Sequence, residues 1–446
     1  MKIIITGAGA VGLHIAKMMA SESQDIYLID QNKERLNYIQ SQIDVFAIHG
    51  DAKSISILKE AKIESCDLLI AATASEETNL LVSILAKKFG AKRTIARINN
   101  LELQDEENVK LLESLGIDTL ISPVRLAAEE IIRLVDNSVF TDDHEFEDGK
   151  LTVFGIPIDD CSPLKNKTIE ESAYLNPDLN FKPIALHRRE ETLIVTGETK
   201  ILEDDIVYFI SNEEAIDQVI DICGKARFEI RNIMILGGSS IGVLTAELLE
   251  NKYKVTLIEK NRELAEEIAG KLKNTLVLNI DGRDVAAIEE EGLADMDAFI
   301  AVTGDSESNI MSSLVAKNHD VKKTIARVEN VDYIHLSQNI GIDTLINKKI
   351  IAASNIFKYV RKGDVTAIAN LHGVDAEIIE FIVKPNSKVT KKRIRDLKFP
   401  KNANICGVVR NNVGFIPFGG FQLEEDDRAV VFSLTESIHL IEKFFQ

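Results

Sequence analysis

The chain has 446 residues, of which 45% are hydrophobic and 28% charged, so it can bury sizeable cores in about two to four domains. Its net charge of −19 argues against a broad nucleic-acid-binding surface, and no apolar run approaches the roughly 18 residues of a membrane span. The four cysteines form no CxxC pair, which argues against a zinc site or a disulfide framework.

Residues 2–30 have the pattern of a dinucleotide-binding unit. A β-branched apolar run at residues 2–6 predicts a buried parallel strand, and GAGAVG follows it directly before a helical pattern. This glycine spacing suits a tight turn that brings free helix N–H groups to a pyrophosphate, and a second predicted strand ends at an acid suited to ribose hydroxyls. The predicted contacts are Gly7, Ala8, Gly9, Ala10, Val11, Gly12 and Asp30.

Strands and helices alternate up to residue 121, which predicts a doubly wound parallel sheet of the Rossmann-like α/β class. The predicted strands are 2–6, 26–29, 44–48, 66–72, 94–97 and 119–121. The predicted helices are 13–20, 31–43, 54–61, 78–89 and 111–115.

Polar and small residues follow the carboxyl ends of these strands, where ligands of open α/β sheets bind. We expect Asp51 and Ala52 to lie along an adenine, and Thr73 and Ala74 to contact ribose and phosphates. Arg97 suits an anionic group, with a surface salt bridge as the alternative.

The same series recurs 230 positions later, because the turn at residue 237, the AVTGD block and the IAR block match their first-half counterparts. A repeated GIDTLI follows in both halves, so the chain is a tandem duplication. The predicted second-half contacts are Gly237, Gly238, Ser239, Ser240, Ile241, Glu259, Asp281, Thr303 and Arg327.

The second glycine turn departs from the fingerprint. Ser239 replaces the middle glycine, and Glu259 stands in place of Asp30 as the strand-end acid. A side chain at Ser239 crowds the approach of a pyrophosphate, although its hydroxyl is also able to bond a phosphate. An occupied site, a site tuned to another nucleotide and an empty site therefore remain open for this half.

A smaller α+β pattern follows each sheet, and we expect the two small domains to pair. The predicted domains are Rossmann-like 1–136, small 137–226, Rossmann-like 227–362 and small 363–446. Amphipathic helices at 123–135 and 348–360 join them, either as core helices or as crossovers that pack on a partner, and polar breaks follow at 136–150 and 361–364. We predict no catalytic residue and no metal ligand, since HExxH, GxSxG and Walker A motifs are absent from the sequence.

The chain resembles the RCK (KTN) superfamily and, within it, the regulatory subunits of Trk-type potassium uptake systems. The motifs that carry this resemblance are GAGAVG with Asp30, GGSSIG with Glu259, the IAR pair and the repeated GIDTLI. The resemblance spans essentially the whole chain. It implies RCK N- and C-terminal domains in tandem and no enzymatic activity. It also implies binding of NAD (NAD+/NADH), and in relatives of ATP or ADP.

The resemblance further implies a homo-oligomer, a tetrameric ring, that gates a potassium-translocating membrane subunit of the Trk type. Such a protein would be cytoplasmic and peripheral on the cytoplasmic face of the cell membrane. The alternatives are an NAD-dependent oxidoreductase, which would need a substrate pocket and a proton donor, and a nucleotide sensor with a non-channel partner.

Overall fold

The computed structural model describes residues 1–20, 24–189, 191–330, 341–357, 359, 365–371 and 376–445. They form two compact units, residues 1–128 with 347–361, and residues 129–346 with 362–446. The predicted polar break at 361–364 and the predicted last residue of the second amphipathic helix, Val360, lie outside the described residues.

The first unit is built from alternating strands and helices. In chain order they are β1 (Lys2–Thr6), α1 (Ala10–Ala20), β2 (Asp25–Asp30), α2 (Lys33–Gln42), β3 (Phe46–His49), α3 (Ile55–Glu60), β4 (Leu68–Ala71), α4 (Glu76–Phe89), β5 (Arg93–Arg97), α5 (Glu106–Leu115), β6 (Thr119–Ile121) and α6 (Pro123–Asp136). The boundary between the units falls inside α6.

The first sheet has the strand order β3-β2-β1-β4-β5-β6 in the described residues, and all its paired strands are parallel. This order is that of a doubly wound Rossmann sheet, which confirms the predicted fold class. The apolar run in β1 is buried on both faces, because Ile3 and Ile5 join the core beside α1 while Ile4 joins the core beside α3 and α4.

The second Rossmann-like sheet lies in the second unit, in the order β14-β13-β12-β15-β16-β17. Its elements are β12 (Asn232–Leu236), α9 (Ser240–Leu249), β13 (Lys254–Ile258), α10 (Arg262–Lys271), β14 (Leu276–Leu278), α11 (Val285–Glu290), β15 (Ala298–Ala301), α12 (Ser306–Asn318), β16 (Lys323–Arg327) and β17 (Thr344–Ile346). Helix α13 (Lys348–Phe357) follows β17.

Helix α13 packs in the core of the first unit rather than on the sheet that precedes it. Ala353, Ile356 and Phe357 are buried in one cluster with Val11 and Ile15 of α1. Its small alanine side chains allow the close approach of two helices, and Phe357 fills the space beside them. The helix therefore crosses over to the first Rossmann-like half of the same chain, and packing on a partner stays a prediction.

The two small domains are antiparallel sheets in the second unit. The first contains β7 (Asp143–Phe146), β8 (Leu151–Pro157), α7 (Ile169–Ser172), β9 (Phe181–Arg188), β10 (Glu191–Ile194), β11 (Ile206–Ser211) and α8 (Ile216–Ile222). The second contains β18 (Val365–Asn370), β19 (Ala376–Ile382), β20 (Ala403–Arg410), β21 (Val413–Phe415), β22 (Arg428–Leu434) and α14 (Ile438–Phe445). Their orders in the described residues are β10-β9-β11-β8-β7 and β18-β19-β22-β20-β21.

The two antiparallel sheets share one hydrophobic core, so the expected pairing of the small domains is present. Val153 and Ile210 of the first sheet lie in one buried cluster with Ile378, Val430 and Phe432 of the second. Each small sheet also has a core of its own on its other face, beside α8 in the first domain and beside α14 in the second, so the shared cluster is a further core between the two sheets. The four-domain division at the residues given above stays a prediction.

The acidic segment 136–150 is not simply a polar break, because β7 lies within it. Asp142 and Asp143 are buried there, where Asp142 Oδ2 accepts a hydrogen bond of 3.1 Å from the Tyr208 hydroxyl and Asp143 Oδ2 accepts one of 2.8 Å from Asn137 Nδ2. Antiparallel pairing with β8, the next strand in the chain, holds β7 although its sequence is too polar to indicate a strand. Helices α8 and α14, which follow the last strand of each small domain, were also not predicted.

Candidate functional site

The first glycine turn has the geometry that its sequence predicts. Gly7 has φ +98°, and a Cβ there would lie 2.8 Å from the Ala72 carbonyl oxygen. A Cβ on Gly12 would lie 1.9 Å from the Gly7 carbonyl oxygen, so only glycine fits either position. A Cβ on Gly9 would meet nothing within 4 Å, so the middle of the turn is open. A ligand phosphate can approach the backbone there.

The two residues that follow Gly9 place the start of α1. Ala10 is its first residue, and Val11 is buried in the core between α1 and the sheet. Their backbone N–H groups lie at the positive end of the helix, where an anion is favoured.

Asp30 links the end of β2 to the glycine turn. Its Oδ2 accepts a hydrogen bond of 2.6 Å from the Ala8 N–H, and its Oδ1 accepts one of 2.7 Å from the Asn32 N–H. The half-buried carboxylate keeps lone pairs free for further donors, such as ribose hydroxyls. Asp30 therefore lies beside the turn in the position that the sequence predicted.

The other predicted contacts of the first half have mixed environments. Asp51 accepts a hydrogen bond of 2.9 Å from the Lys53 N–H and is half-buried, whereas Ala52 is buried in the core beside α3. Thr73 is fixed, with its hydroxyl 2.7 Å from Asn79 Oδ1 and 3.0 Å from the Ser75 carbonyl oxygen, and Ala74 is exposed. Because the Ala52 side chain is buried, only the backbone of this residue is available to a ligand.

Arg97 ends β5 on the same face of the sheet as Ile95, which packs in the core beside α1. Burial lowers the pKa of its guanidinium. Within the described ranges its buried Nε has no hydrogen-bond partner and no carboxylate neutralises its charge. An anion would relieve this uncompensated charge.

The second glycine turn repeats the first with a longer acid. Gly237 has φ +111°, and a Cβ there would lie 2.9 Å from the Thr303 nitrogen. Glu259 Oε2 accepts a hydrogen bond of 2.7 Å from the Gly238 N–H, and its Oε1 accepts one of 2.8 Å from the Asn261 N–H. Glu259 therefore fastens this turn to the end of β13 as Asp30 fastens the first to β2.

Ser239 uses its hydroxyl inside the turn. The Oγ donates a hydrogen bond of 2.7 Å to the Val302 carbonyl oxygen and accepts one of 3.3 Å from the Gly242 N–H, so it caps α9. Ser240 is the first residue of α9 and Ile241 is buried beneath it. The serine thus occupies the Gly242 N–H, whose equivalent in the first half is the Gly12 N–H.

A cavity of about 420 Å³ lies at the carboxyl edge of the second sheet. It brings together six predicted contacts, namely Gly237, Gly238, Ser239, Glu259, Asp281 and Thr303. Arg283 also lines it and binds Asp281 through a bond of 2.6 Å from Nη2 to Oδ2. Hydrogen bonds from Arg283 lower the pKa of Asp281 to about 2, so this carboxylate stays ionised.

Arg327, Ser240 and Ile241 are not among the residues that line this cavity. Arg327 is 6% exposed and forms an ion pair with Glu329. Its Nη1 donates a hydrogen bond of 3.2 Å to the Thr303 carbonyl oxygen, so the guanidinium lies against the turn that borders the cavity.

Family comparisons match both repeats of the chain. The TrkA-N domain matches residues 3–123 and 233–348, and the TrkA-C domain matches residues 153–224 and 378–446. A Trk system potassium uptake protein TrkA homolog from Archaeoglobus fulgidus is 32% identical over 447 residues, covering 100% of this chain and 100% of the relative. The chain belongs to the TrkA family.

Other TrkA proteins match over the same length. The Trk system potassium uptake protein TrkA of Azorhizobium caulinodans is 30% identical over 452 residues, covering 100% of this chain and 99% of the relative. Each family domain matches twice, which confirms the tandem duplication.

Solved structures share the fold of this chain at low identity. The crystal structure of the GsuK RCK domain has a TM-score of 0.61 at 16% identity, covering 99% of this chain and 94% of that one. The GsuK channel bound to NAD has a TM-score of 0.60 at 16% identity, covering 99% and 78%. None of the helices in the described part of the chain has the length and apolar character of a membrane span.

Sequence reasoning missed two asparagines that organise the TrkA-N sites. Asn79 Oδ1 accepts a hydrogen bond of 2.9 Å from the Thr73 N–H, and its Nδ2 donates one of 2.9 Å to the Arg97 carbonyl oxygen. Asn309 makes the same bonds to Thr303 and Arg327, at 3.0 and 2.9 Å. Both asparagines are 1% exposed. Their spacing of 230 positions, the offset of the repeat, is the signal that would have found them.

Proposed function

We propose that this chain is a nucleotide-binding regulatory subunit of a potassium uptake system, and that NAD(H) binds its first Rossmann-like half. The observation that carries the proposal is the open glycine turn at Gly9 with Asp30 fastened beside it, in a chain that matches TrkA proteins along its whole length. The helix N-terminus suits the pyrophosphate and the carboxylate suits the ribose.

The predicted contact residues of both halves are part of this proposal. Two solved neighbours, the GsuK channel with NAD and GsuK with ADP, share the fold and support NAD first and ADP second as candidate ligands. The cavity at Glu259 gives the second half room for a nucleotide as well. Ser239 makes this second site the weaker phosphate binder, because its hydroxyl occupies the Gly242 N–H.

The ligand is proposed to act as a signal and not as a substrate. In the second cavity Asp281 and Arg283 are paired with each other, and the Glu259 carboxylate is bonded to the N–H groups of Gly238 and Asn261. A hydride-transfer enzyme would need a proton donor beside the nicotinamide. We therefore expect no oxidation of NADH against a panel of carbonyl substrates, measured by absorbance.

Assembly into a homo-oligomer, a tetrameric ring, is proposed from apolar positions that recur in both halves. Leu81 of α4 is 43% exposed and Met311 of α12 is 61% exposed, at the offset of the repeat. Ile55 and Val285 are a second exposed pair at the same offset. Exposed apolar side chains that recur in this way suit contacts between copies of the chain.

The proposed partner is a potassium-translocating membrane subunit of the Trk type, with the chain on the cytoplasmic face of the membrane. The names of the relatives support this partner. A nucleotide that binds one ring shape more tightly than another would shift the ring and, through it, the pore. A change from 1:99 to 99:1 would require a difference in affinity of about 10⁴-fold between the shapes.

The experiment that tests this function is affinity purification of the tagged chain from membranes, combined with potassium uptake by cells that lack it. We expect a Trk-type membrane subunit to co-purify and uptake at low external potassium to fall after deletion. Absence of such a subunit together with normal potassium uptake would favour a nucleotide sensor with another partner.

A further inference from the structure

The two Rossmann-like halves differ in charge two residues after the arginine that ends the fifth strand of each sheet. The first half reads IARINN and the second reads IARVEN, so Asn99 and Glu329 are equivalent positions of the repeat. Arg97 and Arg327, which precede them, are the same in both halves. The second half therefore has a carboxylate two residues after its arginine, and the first half has an uncharged amide at that position.

In the second half the arginine already has an anion. Arg327 is nearly buried and forms an ion pair with Glu329, and its Nη1 donates to the Thr303 carbonyl oxygen at 3.2 Å. The Ser306 hydroxyl accepts a hydrogen bond of 3.0 Å from the Glu329 N–H, which fixes the backbone that carries the carboxylate. Glu329 thereby neutralises the charge of Arg327, which lies against the turn that borders the second cavity.

In the first half the equivalent charge has no anion among the described residues. Arg97 is half-buried, and Asn99 is exposed with an uncharged side chain. The nearby carboxylate of Glu76 is used differently, because its Oε2 accepts hydrogen bonds from the backbone N–H groups of Asn99 and Asn100. The Arg97 guanidinium lies on the face of the sheet that carries α1 and its open glycine turn.

We propose that Arg97 binds the phosphate chain of the nucleotide in the first half. In the second half the Glu329 carboxylate neutralises the equivalent Arg327, so Arg327 does not bind a phosphate chain. The first half then selects nucleotides with a pyrophosphate or a longer phosphate chain. The second half discriminates far less by phosphate charge. This inference rests on the proposed function, since it assigns the ligand charge that each proposed site prefers.

The test exchanges the two residues and measures nucleotide binding by titration calorimetry on the full chain. The variants are Asn99→Glu, Glu329→Asn and Glu329→Gln, and the probes are NADH, ATP and uncharged adenosine. Asn99 is exposed, so Asn99→Glu can fold without disturbing the core. Asn100→Glu is the matched control, because it adds the same charge at the next exposed position.

We expect Asn99→Glu to weaken the tighter site for NADH and ATP by about tenfold to a hundredfold, with adenosine affinity unchanged. Asn100→Glu should change these affinities much less. Glu329→Asn and Glu329→Gln should strengthen the weaker site for ATP and make its affinity fall more steeply with salt, as a newly unpaired Arg327 requires.

Two results would overturn the inference, and they differ in what they say about the proposed function. If the wild-type chain binds NADH but Asn99→Glu weakens it no more than Asn100→Glu does, the charge assignment is wrong while nucleotide binding stands. If the folded wild-type chain binds none of the three probes, the proposed function fails and the assignment fails with it. Unfolding of the Glu329 variants would leave Asn99→Glu as the deciding comparison.

Discussion

Asp30 and Glu259 hold the two glycine turns by the same hydrogen bonds, although their side chains differ by one methylene. The space for the longer acid comes from the neighbouring turn residue. A Cβ on Gly238 would lie 2.9 Å from Glu259 Oε2 and 2.5 Å from Ile268 Cδ1, whereas the first half has Ala8 with the shorter Asp30. The longer Glu259 therefore requires glycine at position 238, whereas the shorter Asp30 leaves room for the methyl group of Ala8.

Asp30→Ala tests the ribose contact. We expect the affinity for NADH to weaken by about 1–3 kcal/mol, because charge-assisted hydrogen bonds to the ribose are lost. Calorimetry on the full chain measures this, with the exposed Glu34→Ala of α2 as the control. An unchanged affinity in Asp30→Ala would remove Asp30 from the site.

Asp143 is the residue at which pH should act on stability. Burial raises its pKa from 3.8 to about 6, with Arg133 opposing this shift and Glu130 and Asp142 adding to it. The folded chain therefore holds a proton here that the unfolded chain releases between about pH 4 and 6, and stability falls as pH rises through this window. The cost above pH 6 is on the order of 2–3 kcal/mol.

Asp143→Asn should remove that cost. We expect the variant to gain stability relative to wild type at pH 7 and to lose this advantage at pH 4, because the wild-type carboxyl is then protonated. Melting temperatures of both proteins at the two pH values measure the difference. A constant difference across the range would mean that Asp143 titrates normally. Lys323, whose pKa burial lowers to about 8, titrates above this window.

At the scale of elements, a single buried asparagine joins two strands and a helix in each Rossmann-like half. Asn79 lies on α4 and bonds the backbone after β4 and at the end of β5. Asn79→Ala should lower the free energy of unfolding by about 2–4 kcal/mol, since buried backbone groups lose their partners. Chemical denaturation checks this, with Asn108→Ala, which breaks one exposed hydrogen bond, as the control. Equal effects of the two substitutions would contradict the role of Asn79.

The glycine turns, the acids beside them and the strand order follow from local patterns, which is why the sequence predicted them. Apolar runs and φ-positive glycines need only their neighbours in the chain. The packing of α13 on α1 depends on partners far away in the sequence, so local patterns could not indicate it. Strand β7 pairs with the neighbouring β8, but its polar sequence lacks the apolar alternation that indicates a strand. The ion pair at Glu329 became visible only once side-chain geometry was known.

At the scale of the molecule, recurrent exposed apolar positions suggest where copies of the chain meet. Leu81→Glu combined with Met311→Glu should shift the protein toward smaller species, because a charge at a contact opposes association. Analytical ultracentrifugation measures the mass of the assembly. Lys88→Glu on α4, an exposed position near Leu81, controls for the added negative charge in a chain that already carries −19. An unchanged mass in the double variant would place the interface elsewhere.

The central claim is that nucleotide binding to this chain regulates potassium movement through a membrane partner. The most direct measurement is potassium flux through a reconstituted Trk-type membrane subunit, with and without the chain, in the presence of NAD, NADH, ATP or ADP. We expect at least one nucleotide to change the flux only when the chain is present, and Asp30→Ala to shift the response to NADH to higher concentrations. A flux that is the same with and without the chain under every nucleotide, while the chain binds NADH, would contradict it.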